Sequence, residues 1–192
     1  TYTAVLDALG RVVQHNNPGR APVTIVYDAA GRLEQVTQGT RSRQLGFDSA
    51  TGFVASSTVT GVNEVTHFIR DDVGRISEST APDSQVTGFE YDEVGNLLAL
   101  TPPGRVAHGM SYTPANQLSS YTAPAAVSGG VPDVTGFEYT KHRQPKLVTR
   151  PDNKTVGVTY RTDGKRASVV SPRGTSNYTY NATTGLMTGL ND

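Results

Sequence analysis

Four histidines (His15, His67, His108 and His142) and seventeen carboxylates are the side chains that could bind a metal or move a proton. No Cys is present, which excludes a thiolate zinc site, a thiol nucleophile and a disulfide framework. No two histidines lie within four residues of each other, whereas zinc-binding pairs are commonly spaced that closely. Glu64 and His67 form an ExxH pair, but on a strand residues three apart point to opposite faces. Asp71 and Asp72 adjoin; an acid–base pair must face one substrate, and neighbours in a turn do not. A recurring Asp offers about one carboxylate per turn, against the 6–8 oxygens that Ca²⁺ takes. Neither a GxxxxGK[ST] phosphate loop nor a GxSxG nucleophile elbow occurs. Asn153, Asn177 and Asn181 head NxT triplets, which are glycan acceptors only in a eukaryotic secretory setting. The sequence therefore predicts no catalytic residue, no metal and no cofactor, and the chain reads as a non-enzyme.

The overall composition narrows the classes further. Seventeen basic residues balance seventeen acidic ones across 192 residues. Nucleic-acid and anionic-membrane surfaces need a basic excess, so neither partner is expected. No apolar run approaches the roughly 18 residues that span a bilayer. The first residues lack a basic-then-apolar leader, so the sequence reads as an internal piece or a mature chain. Val, Thr and Tyr number 22, 25 and 9, and these residues suit a pleated, half-buried surface. Helical apolar spacing is absent, and Gly and Pro are spread throughout. An all-β chain with many turns is expected.

That expectation sharpens into a repeat. Tyr27-Asp28-Ala29-Ala30-Gly31-Arg32-Leu33 returns as Tyr91-Asp92-Glu93-Val94-Gly95-Asn96-Leu97. Looser copies start at Leu6, Phe47 and Arg70, and degenerate ones at Tyr112, Tyr139, Tyr160 and Tyr180. The anchors 6, 27, 47, 70, 91, 112, 139, 160 and 180 are spaced by 21, 20, 23, 21, 21, 27, 21 and 20 residues. Regular spacing at that period marks a repeat architecture. The one long interval locates an insertion at 122–133, TAPAAVSGGVPD, read as an extended surface loop. The whole of 1–192 reads as one array without a domain boundary.

Each column has a physical reason. The anchor is aromatic in seven copies, and the residue two before it is apolar, as in Ile25, Phe68, Phe89 and Phe137. Period-2 alternation into the anchor marks a strand with one covered face. Asp28, Asp48, Asp71 and Asp92 follow their anchors, placed to accept backbone N–H bonds and start a turn. Gly31, Gly74, Gly95 and Gly164 stand at the position where φ > 0 closes the turn; Gly52 and Gly185 follow one place later, after an extra Thr. An apolar residue then opens a returning strand, as in Val12, Leu33 and Leu97. One repeat is thus one β-hairpin of about 21 residues, and nine imply about 18 strands. A lone hairpin is marginal in water, so neighbours must stabilise one another. The Arg after the turn Gly is expected to pair with acids on a neighbouring hairpin. From Tyr112 onward Asp gives way to Thr113, Thr140 and Arg161, and those turns are expected to be less regular.

These columns resemble the YD-repeat, or Rhs-repeat, family. YDAAGRL at 27–33 and YDEVGNL at 91–97 are similar to its consensus. So is the segment Thr101-Pro102-Pro103-Gly104-Arg105, His108, Tyr112-Thr113-Pro114 and Tyr121-Thr122-Ala123-Pro124. The resemblance covers essentially the whole chain. It implies an open, twisted and curved antiparallel sheet, a section of a β-shell that encloses or presents a toxin or other cargo polypeptide. It also implies a secreted bacterial protein, extracellular or at a cell surface. The expected partners are neighbouring repeats of a larger parent chain, or other copies joined through edge strands, with toxin cargo inside. The self-cleaving Asp segment of bacterial members is not among these residues, so no autoproteolysis is carried over. A second reading makes the chain a carbohydrate- or protein-binding repeat module, with a glycan held on exposed Tyr, Asn, Thr and Gln. On either reading Tyr27, Phe47, Tyr91, Tyr112, Tyr139, Tyr160 and Tyr180 are the packing positions.

Overall fold

A computed structural model describes residues 1–62, 64–125 and 130–192. The described residues form eighteen strands and no helix. The chain divides into two compact units: Thr1–Phe89 with Pro102–Gly104, and Glu90–Thr101 with Arg105–Asp192.

In the first unit the strands are β1 (Thr3–Leu6), β2 (Val12–Asn16), β3 (Val23–Tyr27), β4 (Leu33–Gln38), β5 (Arg41–Phe47), β6 (Val54–Thr60), β7 (Glu64–Arg70), β8 (Ile76–Thr80) and most of β9 (Val86–Tyr91). Each pairs antiparallel with its sequence neighbours, from β1 with β2 through β8 with β9. In the second unit they are β10 (Leu97–Thr101), β11 (His108–Tyr112), β12 (Leu118–Ala123), β13 (Asp133–Tyr139), β14 (Pro145–Thr149), β15 (Thr155–Tyr160), β16 (Arg166–Ser171), β17 (Gly174–Tyr180) and β18 (Met187–Asn191). These too form an unbroken antiparallel meander. Both ladders are open, and among the described residues of each unit strands contact only their neighbours in sequence. The all-β, open antiparallel architecture expected from the repeat is what the chain adopts. Of the connection between β12 and β13, where the insertion at 122–133 was placed, residues 126–129 lie outside the described residues.

Sequence explains why the meander forms. In β3, Val23, Ile25 and Tyr27 are half-buried while Thr24 and Val26 are exposed, the period-2 pattern of a strand with one covered face. Register sets the apolar residues opposite each other: Ile25 against Val36, Phe137 against Val148, Val158 against Val169. No described hydrophobic side chain is fully buried, because a face covered only by flanking strands is never sealed from water. Stability rests on cross-strand pairs, each contributing about 0.2–1 kcal/mol, and on contacts between hairpins.

Candidate functional site

Among the described residues no packed layers wall a cavity, and the places where sequence columns converge are the joints between consecutive hairpins. Each joint starts at a turn. Asp28 N–H donates to the Arg32 carbonyl at 2.8 Å, and Gly31 N–H donates to the Asp28 carbonyl at 2.9 Å. Gly31 has φ +80°. This is a type I turn closed by a left-handed residue. The Asp28 carboxylate reinforces it: Oδ1 accepts from Arg32 N–H at 2.8 Å and Oδ2 from Arg32 Nε at 2.7 Å. Asp7 with Arg11 and Asp71 with Arg75 repeat the arrangement at 2.7 and 2.6 Å.

The arginine after the turn thus does not pair with a neighbouring hairpin's acid, as the sequence suggested; the Asp of its own turn is four residues away and already oriented. Its guanidinium plane then serves the next hairpin. Arg11 lies 4.4 Å above the Tyr27 ring, and Arg32 lies 4.0 Å above the Phe47 ring, contacts worth about 0.5–1 kcal/mol at exposed sites. Arg32 Nη1 also donates to the Gly52 carbonyl at 3.1 Å.

Hydrogen bonding holds the turn carboxyls in their charged form. Asp7 and Asp28 are lowered below the usual 3.8 chiefly by the backbone N–H of Arg11 and Arg32, and Asp48 by that of Thr51. At Asp71 and Asp92 desolvation pushes upward, and the bonds from Arg75 and Asn96 overcome it.

In the second unit the turns from Tyr112 onward are as regular as the early ones, against expectation. Thr113 N–H donates to the Gln117 carbonyl at 2.7 Å and Thr140 N–H to the Gln144 carbonyl at 2.8 Å. Asn116 and Arg143 occupy the left-handed position at φ 57° and 63° in place of Gly. The turn bonds are backbone bonds, and the Thr113 and Thr140 hydroxyls accept the N–H groups that Asp would take. Forward reach is kept as well. Gln117 Nε2 donates to the Arg143 carbonyl at 3.0 Å, Gln144 Nε2 to Gly164 at 2.8 Å and Lys165 Nζ to Gly185 at 2.8 Å.

The anchors close each joint from the other side. Tyr27 Oη donates to the Val12 carbonyl at 3.1 Å. In the second unit Tyr112 reaches Leu97 at 3.0 Å, Tyr139 Leu118 at 2.9 Å, Tyr160 Pro145 at 2.7 Å and Tyr180 Arg166 at 2.9 Å. Each acceptor is the first carbonyl of the preceding hairpin's return strand. A β-bulge sits beside the anchor in the same hairpins, as between Val26 and Tyr27 or Glu138 and Tyr139. The bulge re-aims the side chain across the strand toward its neighbour. Arg70 stands where the other anchors are aromatic, and its Nε donates to the Val54 carbonyl at 3.1 Å. The guanidinium there does what the hydroxyl does elsewhere. The family of anchor hydroxyls was not legible in the alternation pattern, which registers only that the position is covered. All seven aromatic anchors are half-buried. Among the described aromatic residues, Tyr2 and Phe53 are the exposed ones, at 78% and 43%.

The residues weighed for chemistry are dispersed. Glu64 and His67 lie three apart on β7, where the alternation puts them on opposite faces. Asp71 is engaged by its own turn. His108 Nδ1 hydrogen-bonds the Tyr121 hydroxyl at 2.5 Å, with the rings stacked 5.8 Å apart. Among the described residues no three His, Asp or Glu side chains converge as a metal site. No helix there is long and apolar enough to cross a membrane.

Solved structures share this architecture. A TcdB2–TccC3–Cdc42 crystal structure superposes with a TM-score of 0.60 at 17% identity, covering 94% of this chain and 12% of that one. A TcdB2–TccC3 structure without its hypervariable C-terminal region gives 0.58 at 17% identity, over 94% and 12%. The Photorhabdus luminescens Tc holotoxin pore with a TccC3 mutation gives 0.55 at 19% identity, over 97% and 10%. This chain therefore spans about a tenth of the length of those proteins. No curated protein matches it in sequence. The family model described as teneurin YD-shell matches residues 3–191, and with the turn, anchor and joint recurring along both units, the chain belongs to the teneurin YD-shell family.

Proposed function

We propose that this chain is a wall segment of a YD shell that encloses or presents a toxin or other cargo polypeptide. The observation that carries this reading is the joint. Tyr27, Tyr112, Tyr139, Tyr160 and Tyr180 spend their hydroxyls on backbone carbonyls of the preceding hairpin, so the repeat columns are committed to tiling rather than to a ligand. On this reading Asp28, Asp48, Asp71 and Asp92 set the turns, and Gly31, Gly52, Gly74, Gly95, Gly164 and Gly185 close them. Phe47 and Tyr91 pack as the other anchors do. The segment works as a mechanical barrier without catalysis, as part of a longer parent chain in a secreted, extracellular or surface-bound protein. The likeness to TccC3-containing toxin structures supports that setting.

The test is protease protection of the full-length parent protein. Its cargo should resist digestion while the array is intact, and become cleavable when Tyr139→Phe, Tyr160→Phe and Tyr180→Phe are combined. Cargo digested equally fast in both proteins would refute the barrier role.

A further inference from the structure

Four arginines of the first unit are held by their own or adjacent hairpins. Arg11, Arg32 and Arg75 are tied to turn carboxylates, and Arg70 is bonded to backbone carbonyls. Arg20, between β2 and β3, takes no side-chain partner among the described residues; neither do Arg41 and Arg43, whose guanidiniums have no hydrogen bond or ion pair there. They stand two apart on β5, hence on one face, and both are exposed. Register places Arg43 directly between Val36 on β4 and Val59 on β6. That is the covered face, because Arg43, Leu45 and Phe47 alternate onto the same side. Val62, 63% exposed, lies beside them in the turn that follows β6. Together these residues line an open groove of about 760 Å³. The carboxylate that register puts on this face, Glu64 opposite Val59, forms no ion pair with either arginine.

A face otherwise used for apolar pairs here carries two uncompensated cations beside valines. Guanidinium forks bind carboxylates in a planar, bidentate manner, and the valines suit aliphatic side chains. Two cations on one strand, flanked by apolar rows, match an extended chain whose groove-facing residues, every second one, are acidic and aliphatic in turn. We infer that the groove formed by Val36, Arg41, Arg43, Val59 and Val62 docks an extended acidic segment of a partner polypeptide. This deepens the wall reading by giving the wall a contact for the polypeptide it carries, and it rests on that reading for the identity of the partner.

The test uses the 192-residue chain and a fluorescein-labelled peptide of Glu-Ser-Val-Ser repeats (the Glu/Val peptide), which sets Glu and Val on one face when extended, read by fluorescence anisotropy. Saturable binding is expected, weakened about tenfold in Arg41→Gln/Arg43→Gln, since each exposed ion pair carries up to about 1 kcal/mol. Both side chains are exposed and unpaired, so the variant should keep the wild-type far-ultraviolet spectrum; Arg173→Gln in the second unit should bind as wild type does. A Lys/Val peptide should not bind, and Val62→Ser should weaken the Glu/Val peptide. The inference is overturned by equal affinity in the double variant, by equal binding of the Lys/Val peptide, or by a Glu/Gly peptide binding as well as Glu/Val. Competition by free glutarate at the peptide's own affinity would also overturn it, showing a small-carboxylate site instead. None of these outcomes alters the protease-protection result, so the two readings fail separately.

Discussion

Phe47 is the aromatic anchor that cannot donate. Its ring is stacked under Arg32 at 4.0 Å, but it has no hydroxyl to offer the neighbouring return strand, as Tyr27 offers one to Val12. Phe47→Tyr should therefore stabilise the chain by about 0.5–1 kcal/mol, the net value of one hydrogen bond. Tyr160→Phe should cost a similar amount by losing its 2.7 Å bond to Pro145. Chemical denaturation of both variants checks the pair; a shift of the same sign in both would show that the hydroxyl is irrelevant. The turn glycines are separable in the same way. Gly10 and Gly74 share a positive φ, +79° and +86°, yet a Cβ on Gly10 meets nothing within 4 Å, while one on Gly74 meets the Phe53 ring at 2.5 Å. Both Ala variants carry the left-handed penalty of about 1–2 kcal/mol. Gly74→Ala should cost more, because Phe53 must move as well. Equal midpoints for the two would show that the Phe53 ring does not restrict position 74.

At the scale of the hairpin, the turn carboxylates make folding acid-sensitive. A carboxyl whose folded pKa lies below its unfolded value contributes stability above the unfolded value, and that contribution is lost as pH falls through the folded one. For Asp7, Asp28 and Asp48, lowered from 3.8 by bonds from their own turns, the loss begins as pH drops below that value. Thermal midpoints taken from about pH 6 to about pH 2 should fall through this window. Asp28→Thr should flatten the fall, because Thr113 and Thr140 show that a hydroxyl caps the same turn without titrating. An unchanged pH profile in that variant would show that the acid response arises elsewhere. Here the limits of the sequence are visible. Spacing, turn chemistry and alternation were enough to place the hairpins, since each is a local preference. Regularity in the last third was not, because Arg143 adopts the left-handed conformation under the constraint of flanking strands rather than by its own bias, while at Asn116, a residue type that takes it readily, the absent Gly hid the turn. The partner of the turn arginine was missed for a related reason. Its Asp is four residues back, a contact visible only once the turn brings the two together.

For each unit as a whole, the decisive fact is that among the described residues strands touch only their neighbours in sequence and no hydrophobic side chain is fully buried. Stability in such an array is a sum of hairpin terms and joint terms, with no shared core to spread a perturbation. The arginine-lined groove on β4–β6 fits this economy, since a residue on one hairpin can be left unpaired for a partner without weakening distant ones. The same logic fixes how damage travels. Tyr139→Phe removes the bond to Leu118 that ties β13 to β12. Amide hydrogen exchange should then lose protection on β11 to β14, the hairpins either side of that joint, while β17 and β18 exchange as in the wild type. In a domain with a cooperative core, opening would be shared and protection would fall evenly across the second unit. An even loss would therefore show that the hairpins act as one body, and the additive, joint-by-joint account would have to be given up.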